Sequence, residues 1–161
     1  MKDMLKHSEK QRGLLTLVIG VGNVFRCDDS VGLVIARRVR EKVSPSVKVL
    51  EASGEGAALI ETWKDTDSVI LIDAVHSGVK PGTIHRFDAQ TQPIPSKYFH
   101  YSTHAFSVAE AVELARALEQ LPPRLIIYGI EGKNFEAGEK LSPEVERAVD
   151  RVVKSILEEL G

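Results

Sequence analysis

The sequence contains a single cysteine, Cys27, among 161 residues. A lone cysteine cannot form an intrachain disulfide, and it cannot by itself build a zinc finger or an iron–sulfur site. An excess of one charge is also missing, because 21 basic residues nearly balance 23 acidic residues and leave a net charge of -2. No global positive field therefore attracts nucleic acid or an anionic membrane. We predict a reducing, cytoplasmic environment, no nucleic-acid partner and local recognition of other partners.

Long apolar runs are missing as well. No run approaches the roughly 20 apolar residues that span a bilayer, so we expect no membrane insertion. The N-terminal stretch MKDMLKHSEKQRG alternates charged with isolated apolar residues and lacks the apolar core of a secretory signal. We expect residues 1–13 to form a mobile tail and residues 14–161 to form a single domain. The 43% of hydrophobic and 27% of charged residues are typical of a soluble globular protein.

Short apolar, β-branched runs alternate with helical periodicity along the chain. Four runs are typical of strands buried in a parallel sheet: residues 14–21, 47–50, 68–74 and 125–130. The alternating segment 82–87 predicts a half-exposed edge strand. Apolar residues three and four positions apart predict helices in four places: from residue 30, over 57–63, over 104–121 and from 143. This order predicts an α/β fold with one mostly parallel, twisted sheet of about five strands and helices on both faces, a single three-layer domain.

Three ligand-type side chains fall at the edge where the parallel strands end, which is where open α/β sheets bind ligands. Asp29 follows the first strand, Asp73 ends the third, and His104 starts the predicted helix, with Ser102 and Thr103 as possible N-caps. Two carboxylates and a neutral imidazole suit zinc or nickel and leave coordination positions open. Each residue alone could instead be structural, as an N-cap, a strand-end carboxylate bonded to backbone amides, or a capped helix start. Their convergence predicts a metal site.

The glycine-rich loops at the same edge are predicted to bind substrate. Gly22 and Asn23 follow the first strand, and Ser53 and Gly54 follow the second. Glycine permits the tight turns and the close approach of backbone to ligand that such loops need. Cys27 is interpreted as a loop thiol, because its acidic neighbours disfavour the reactive thiolate.

Common catalytic motifs are absent from the sequence. There is no HExxH zinc-protease helix and no GxSxG nucleophile elbow. Gly20 and Gly22 begin a GxG pattern, but Phe25 stands where the dinucleotide-binding fingerprint needs its third glycine. Glu51, which follows the second predicted strand, stands 29 positions after Gly22 instead of the roughly 20 that the fingerprint requires. A nucleotide site is therefore disfavoured.

A long loop is predicted over residues 88–103, and loops of this length are uncommon unless functional. Its aromatic residues Tyr98, Phe99 and Tyr101 either form a docking surface or pack over the neighbouring helix. The nearby His76 and His85 are expected at the surface.

Five segments, in order, resemble the nickel–iron hydrogenase maturation proteases, from residue 14 to the last helix. They are VIGVGNVFRCDDSVG, EASGEGAALIE, LIDAV, STHAFSV and YGIEGKNFEAGEKLSPEVE. The resemblance implies an aspartyl-type endopeptidase that removes the C-terminal extension of a hydrogenase large-subunit precursor after nickel insertion. It also implies that Asp29, Asp73 and His104 contact the nickel and that Asp29 and Asp73 are catalytic. Asp29 departs from those members that carry glutamate at this position.

The nickel implied by this resemblance is carried by the substrate and acts as a recognition element. The protease then needs no permanently bound metal, although zinc or cadmium could substitute in vitro. Either a carboxylate activates water as general base, or the metal polarises the carbonyl or its water.

Two alternatives stay open from the residues alone. The run Gly20-Val21-Gly22-Asn23 also suits a peptidyl-tRNA hydrolase, which would need a basic face for RNA. The other alternative is a non-cleaving, metal-sensing maturation chaperone that binds the precursor without cutting it.

Overall fold

The computed structural model describes residues 15–99 and 107–161. Within these ranges the strands are β1 (Thr16–Val21), β2 (Val47–Ala52), β3 (Ser68–Val75), β4 (Ile84–Asp88) and β5 (Arg124–Glu131). The α-helices there are α1 (Val31–Lys42), α2 (Gly56–Trp63), α3 (Val108–Ala117) and α4 (Pro143–Leu160). Short 3-10 turns occupy Cys27–Ser30 and Ser96–Phe99. The predicted tail, residues 1–13, lies outside the described residues.

The strands form one sheet in the order β2-β1-β3-β5-β4. Neighbouring strands are parallel except β4, which runs antiparallel to β5 at the sheet edge. Parallel neighbours need crossover connections, which the helices supply. The carboxyl ends of β1, β2, β3 and β5 consequently meet at one edge of the sheet. We call it the C-terminal edge.

Helices cover both faces of the sheet. Val18, Ile70 and Ile126 point into a core shared with α1 and α4. The alternate strand residues, Ile19, Leu71 and Ile127 among them, point into a second core that contains α2 and α3. This period-two alternation of apolar residues on both faces makes the strands hydrophobic throughout. The predicted three-layer α/β architecture is confirmed.

Two glycines let α1 approach the sheet closely at its C-terminal edge. A Cβ on Gly20 would lie 2.4 Å from the Gly32 carbonyl oxygen, and a Cβ on Gly32 would lie 2.3 Å from the Ile72 carbonyl oxygen. Any side chain at either position would collide with backbone that cannot easily move. The start of α1, and the turn that precedes it, are thereby held against β1 and β3.

Helix α3 is shorter than its apolar spacing predicted. It begins at Val108, and Ser107 before it has extended backbone angles of φ -87° and ψ 178°. The Ser107 N–H donates to the Glu110 carboxylate at 3.2 Å, one arm of a capping box. The predicted start of this helix at residue 104 is therefore wrong. Residues 100–106, including His104, lie outside the described residues.

The aromatic residues of the long loop pack inward. Phe99 is 3% exposed and belongs to the core with Val108, while Tyr98 is half-buried against it. The Tyr98 ring lies 5.7 Å from the Phe87 ring. The predicted packing role is confirmed for these two residues. The docking surface stays a prediction, and Tyr101 lies outside the described residues. Across residues 15–99 and 107–161, no helix is both long and apolar enough to span a membrane.

Candidate active site

A cleft of about 310 Å³ opens at the C-terminal edge, between the loops that follow β1, β2 and β3. Asp29, from the 3-10 turn before α1, and Asp73, from β3, both line it. Phe99 and Ser107 form part of its wall. The residues predicted to bind substrate line the same cleft: Gly22, Asn23, Ser53 and Gly54. The structure thus brings together all the predicted site residues that it describes.

Asp73 is a buried carboxyl with little compensation for its charge. Its residue is 9% exposed, and its Oδ1 accepts one hydrogen bond, from the Ala74 N–H at 2.8 Å. Burial raises the pKa of the Asp73 carboxyl well above its ordinary value, because a low-dielectric environment disfavours the charged form. The Asp29 carboxylate raises this pKa further, and the Ala74 hydrogen bond lowers it in part. A strongly perturbed carboxyl in a cleft is typical of functional sites.

Asp29 is positioned by the loop that connects β1 to α1. Its N–H donates to the Arg26 carbonyl at 3.0 Å, and its own carbonyl accepts from the Asn23 N–H at 3.3 Å. Gly22 is required beside it, because a Cβ there would lie 2.0 Å from the Asp29 carbonyl oxygen. The glycine in the first loop therefore serves the placement of Asp29.

Asp28, the neighbour of Asp29, has a structural role that the sequence did not reveal. It is 0% exposed and accepts hydrogen bonds from the N–H groups of Lys133, Asn134 and Ser142 at 2.7 to 2.8 Å. The Ser142 hydroxyl donates a fourth, at 2.8 Å. Asp28 therefore ties the turn that carries Asp29 to the loop after β5 and to the start of α4.

Glu131, at the end of β5, is a second buried carboxylate that links loops. It is 1% exposed and accepts from the Ser77 N–H at 2.8 Å and the Ser77 hydroxyl at 2.6 Å. His85 Nε2 lies 3.3 Å from its Oε1, and the His85 side chain is only 15% exposed. The expectation of a surface His85 is therefore wrong, whereas His76 is exposed as predicted. An acidic residue closing an otherwise apolar strand was the available sequence signal.

The donor set of the cleft suits a cation in part. In the described portion of the chain, no group of three His, Cys, Asp or Glu side chains is placed to hold a metal ion. Asp29 and Asp73 supply two carboxylates, and a divalent cation between them would offset both their repulsion and the desolvation of Asp73. The third predicted ligand, His104, lies outside the described residues, so the three-residue metal site stays a prediction.

Comparison with known proteins identifies the family. The sequence profile described as hydrogenase maturation protease matches residues 31–159. A predicted hydrogenase maturation protease of Methanocaldococcus jannaschii is 31% identical over 153 residues, which cover 89% of this chain and 95% of that protein. The hydrogenase 2 maturation protease of Escherichia coli is 25% identical over 145 residues, which cover 88% and 87%.

A solved structure shows the same fold. The hydrogenase maturating endopeptidase HybD from E. coli superimposes with a TM-score of 0.75 at 22% identity, over 90% of this chain and 91% of that one. Fold and site together define an α/β protein with two carboxylates in a cleft at the C-terminal edge of a mostly parallel sheet. This chain belongs to the hydrogenase maturation protease family. It is a peptide hydrolase of hydrogenase maturation, and the peptidyl-tRNA hydrolase alternative is set aside.

Proposed function

We propose that this chain removes the C-terminal extension of a nickel-loaded hydrogenase large-subunit precursor, with the nickel of the substrate as the recognition element. One observation carries the proposal: Asp29 and Asp73 line a single cleft, and Asp73 is buried beside a like charge. Two carboxylates in one cleft repel each other, and a partner that brings a cation offsets this repulsion.

Recognition follows from the attraction of these two carboxylates for a cation. Nickel already held by the precursor would complete its coordination with Asp29, Asp73 and His104. A precursor without nickel offers no cation to the pair and is not positioned for cleavage. The binding energy of the metal is thereby used to align the scissile peptide, which gives a checkpoint for nickel insertion.

Peptide hydrolysis needs a group that takes a proton from the attacking water. Asp29 and Asp73 are the carboxylates that line the cleft in the described residues, and either can act as this general base. The backbone of Gly22 and Gly54 lies beside them, where a substrate strand can approach closely because no side chain intervenes.

The test is the intact mass of a hydrogenase large-subunit precursor before and after incubation with this chain. Loss of a C-terminal peptide from the nickel-loaded precursor, and not from the nickel-free one, is the expected result. Cleavage of both forms would contradict nickel recognition. Binding of the loaded precursor without any change of mass would favour the non-cleaving chaperone instead.

Substitutions of the predicted site residues test whether the cleft is the site of cleavage. Asp29→Asn, Asp73→Asn and His104→Ala should each stop processing, since each removes a ligand or a base. Asp65→Asn is the matched control, because Asp65 is exposed and its φ of 61° is one that asparagine also adopts. Near-normal cleavage by Asp73→Asn and His104→Ala would overturn the proposed site.

A further inference from the structure

Phe25 is an exposed aromatic residue in the loop that borders the cleft. Its exposure of 65% exceeds that of every other large apolar residue in the described ranges, where the next is Leu118 at 54%. Phe25 directly follows Asn23 and Val24, which both line the cleft. The loop that forms one side of the cleft therefore also carries this exposed ring.

The backbone around Phe25 is held from two sides. The Phe25 N–H donates to the Asn23 side-chain oxygen at 2.9 Å, and the Phe25 carbonyl accepts from the Gly138 N–H at 2.8 Å. Two residues later, the Cys27 N–H donates to the Gly138 carbonyl at 2.9 Å. Arg26 Nε, between them, donates to the Phe135 carbonyl at 3.2 Å. These bonds fix the loop to the segment after β5, so the ring is presented to solvent on a rigid support.

A rigidly held, exposed aromatic ring has the properties of an interface anchor. Aromatic residues are enriched where proteins bind each other, because they bury a large area and have few torsions to restrict. Single exposed apolar residues are common on protein surfaces. What distinguishes Phe25 is its place next to two cleft-lining residues, together with the backbone bonds that hold this loop.

We infer that Phe25 is a substrate-docking residue, whose ring packs against an apolar segment of the hydrogenase precursor next to the peptide that enters the cleft. The inference rests on the proposed function, which supplies the identity of the substrate. Docking by Phe25 adds apolar contact area outside the carboxylate pair. It therefore contributes to precursor binding and takes no part in the proton transfers.

The experiment compares Phe25→Ala and Phe25→Leu with Leu118→Ala as the matched control. Leu118 follows α3, whose first turn lies at the cleft wall and whose ten residues carry the chain about 15 Å away. Initial rates of peptide release are measured by intact mass over a range of nickel-loaded precursor concentrations. Circular dichroism and urea unfolding verify that each variant folds.

Phe25→Ala should raise KM about tenfold and leave kcat within about twofold. The KM of Phe25→Leu should lie between that of Phe25→Ala and that of the native chain. Leu118→Ala should have the KM of the native chain. An unchanged KM for Phe25→Ala overturns the inference, as does an equal rise for Leu118→Ala. Loss of self-association in Phe25→Ala with KM unchanged would assign the ring to a contact between copies of the chain, which also overturns it. If the native chain neither cleaves nor binds the precursor, the proposed function itself fails, and this outcome is distinct from the others.

Discussion

Asp28 and Asp73 are two buried aspartates at the same edge of the sheet, but they differ in the hydrogen bonds that their carboxyl groups accept. Asp28 accepts four hydrogen bonds, three from backbone N–H groups and one from a hydroxyl. Among the described residues Asp73 accepts one, from Ala74, and the Asp29 carboxylate acts on it as a like charge. Both carboxyls are removed from water, so the difference lies in what replaces the water.

The comparison separates a carboxylate that stabilises the fold from one that is available for chemistry. Four donors replace the hydration of Asp28 and offset the cost of burying its carboxyl completely. The oxygens of Asp73 keep bonding capacity that the described residues do not fill, and the raised pKa records this shortage. Sites that bind and react commonly retain such unfavourable arrangements at the expense of stability.

The largest expected effect is on processing. Asp73→Asn keeps the shape of the side chain and removes its charge, so the rate of precursor cleavage should fall by about 10²- to 10⁴-fold. The same change should leave the free energy of unfolding equal or slightly higher, since a buried, poorly compensated charge is removed. Intact-mass kinetics and urea unfolding of the same sample check both statements. A large loss of stability would show that Asp73 resembles Asp28 after all.

The next effect is on stability and concerns Asp28. Asp28→Ala leaves three backbone N–H groups without their acceptor, and we expect the free energy of unfolding to fall by about 3 to 5 kcal/mol. Urea unfolding measures this. Asp150→Ala is the surface control, because its ion pair with Arg38 is solvent-exposed and should contribute less than about 1 kcal/mol. Equal losses for the two variants would contradict the assigned role of Asp28.

Unfolding measured over a pH series tests the contrast between Asp28 and Asp73, because it isolates the effect of the Asp73 charge on stability. The folded-state pKa of Asp73 lies well above its ordinary value of 3.8, so the native state keeps a proton that the unfolded chain has already released. Stability should therefore be lost as the pH rises from about 3.8 to the raised pKa, and Asp73→Asn should escape this loss. The stability difference between Asp73→Asn and the native chain should grow over this range in chelator-containing buffer. A constant difference would exclude the raised pKa.

The smallest effect concerns a single donor to Asp28. Ser142→Ala removes only the hydroxyl bond of 2.8 Å and keeps the backbone N–H bond of the same residue. The free energy of unfolding should fall by about 1 kcal/mol, a fraction of the loss from Asp28→Ala. Because both variants remove the hydroxyl bond, the double variant should be no less stable than Asp28→Ala alone. Fully additive losses in this double-mutant cycle would show that the two side chains act independently.

Much of the fold could be predicted from local patterns. The strands and helices follow from apolar periodicity, and the order of elements predicts a parallel sheet with its loops at one edge. Asp29 and Asp73 could be assigned to that edge because Asp29 lies in the loop after β1 and Asp73 near the end of β3. The start of α3 could not be placed from periodicity, because apolar spacing continues across Ser107 whereas the backbone there is extended.

The residues that sequence patterns missed depend on distant partners. The donors to Asp28 come from positions 105 to 114 residues away along the chain. His85 and Glu131 are 46 residues apart in the sequence, and the pairing of β4 with β5 brings their side chains together. Local spacing cannot report which of two adjacent aspartates turns inward, since both occupy the same loop.

The sequence by itself determined the class of fold, the edge of the sheet where the candidate site lies and the carboxylates that reach it, because periodicity and strand ends are local properties. Only the tertiary structure decided that Asp28 is a buried acceptor, that Asp73 has a single donor among the described residues and that Phe25 is exposed. Burial and hydrogen-bond satisfaction depend on groups brought together from far along the chain. The same residue type therefore stabilises the fold at one position and is free to act at another.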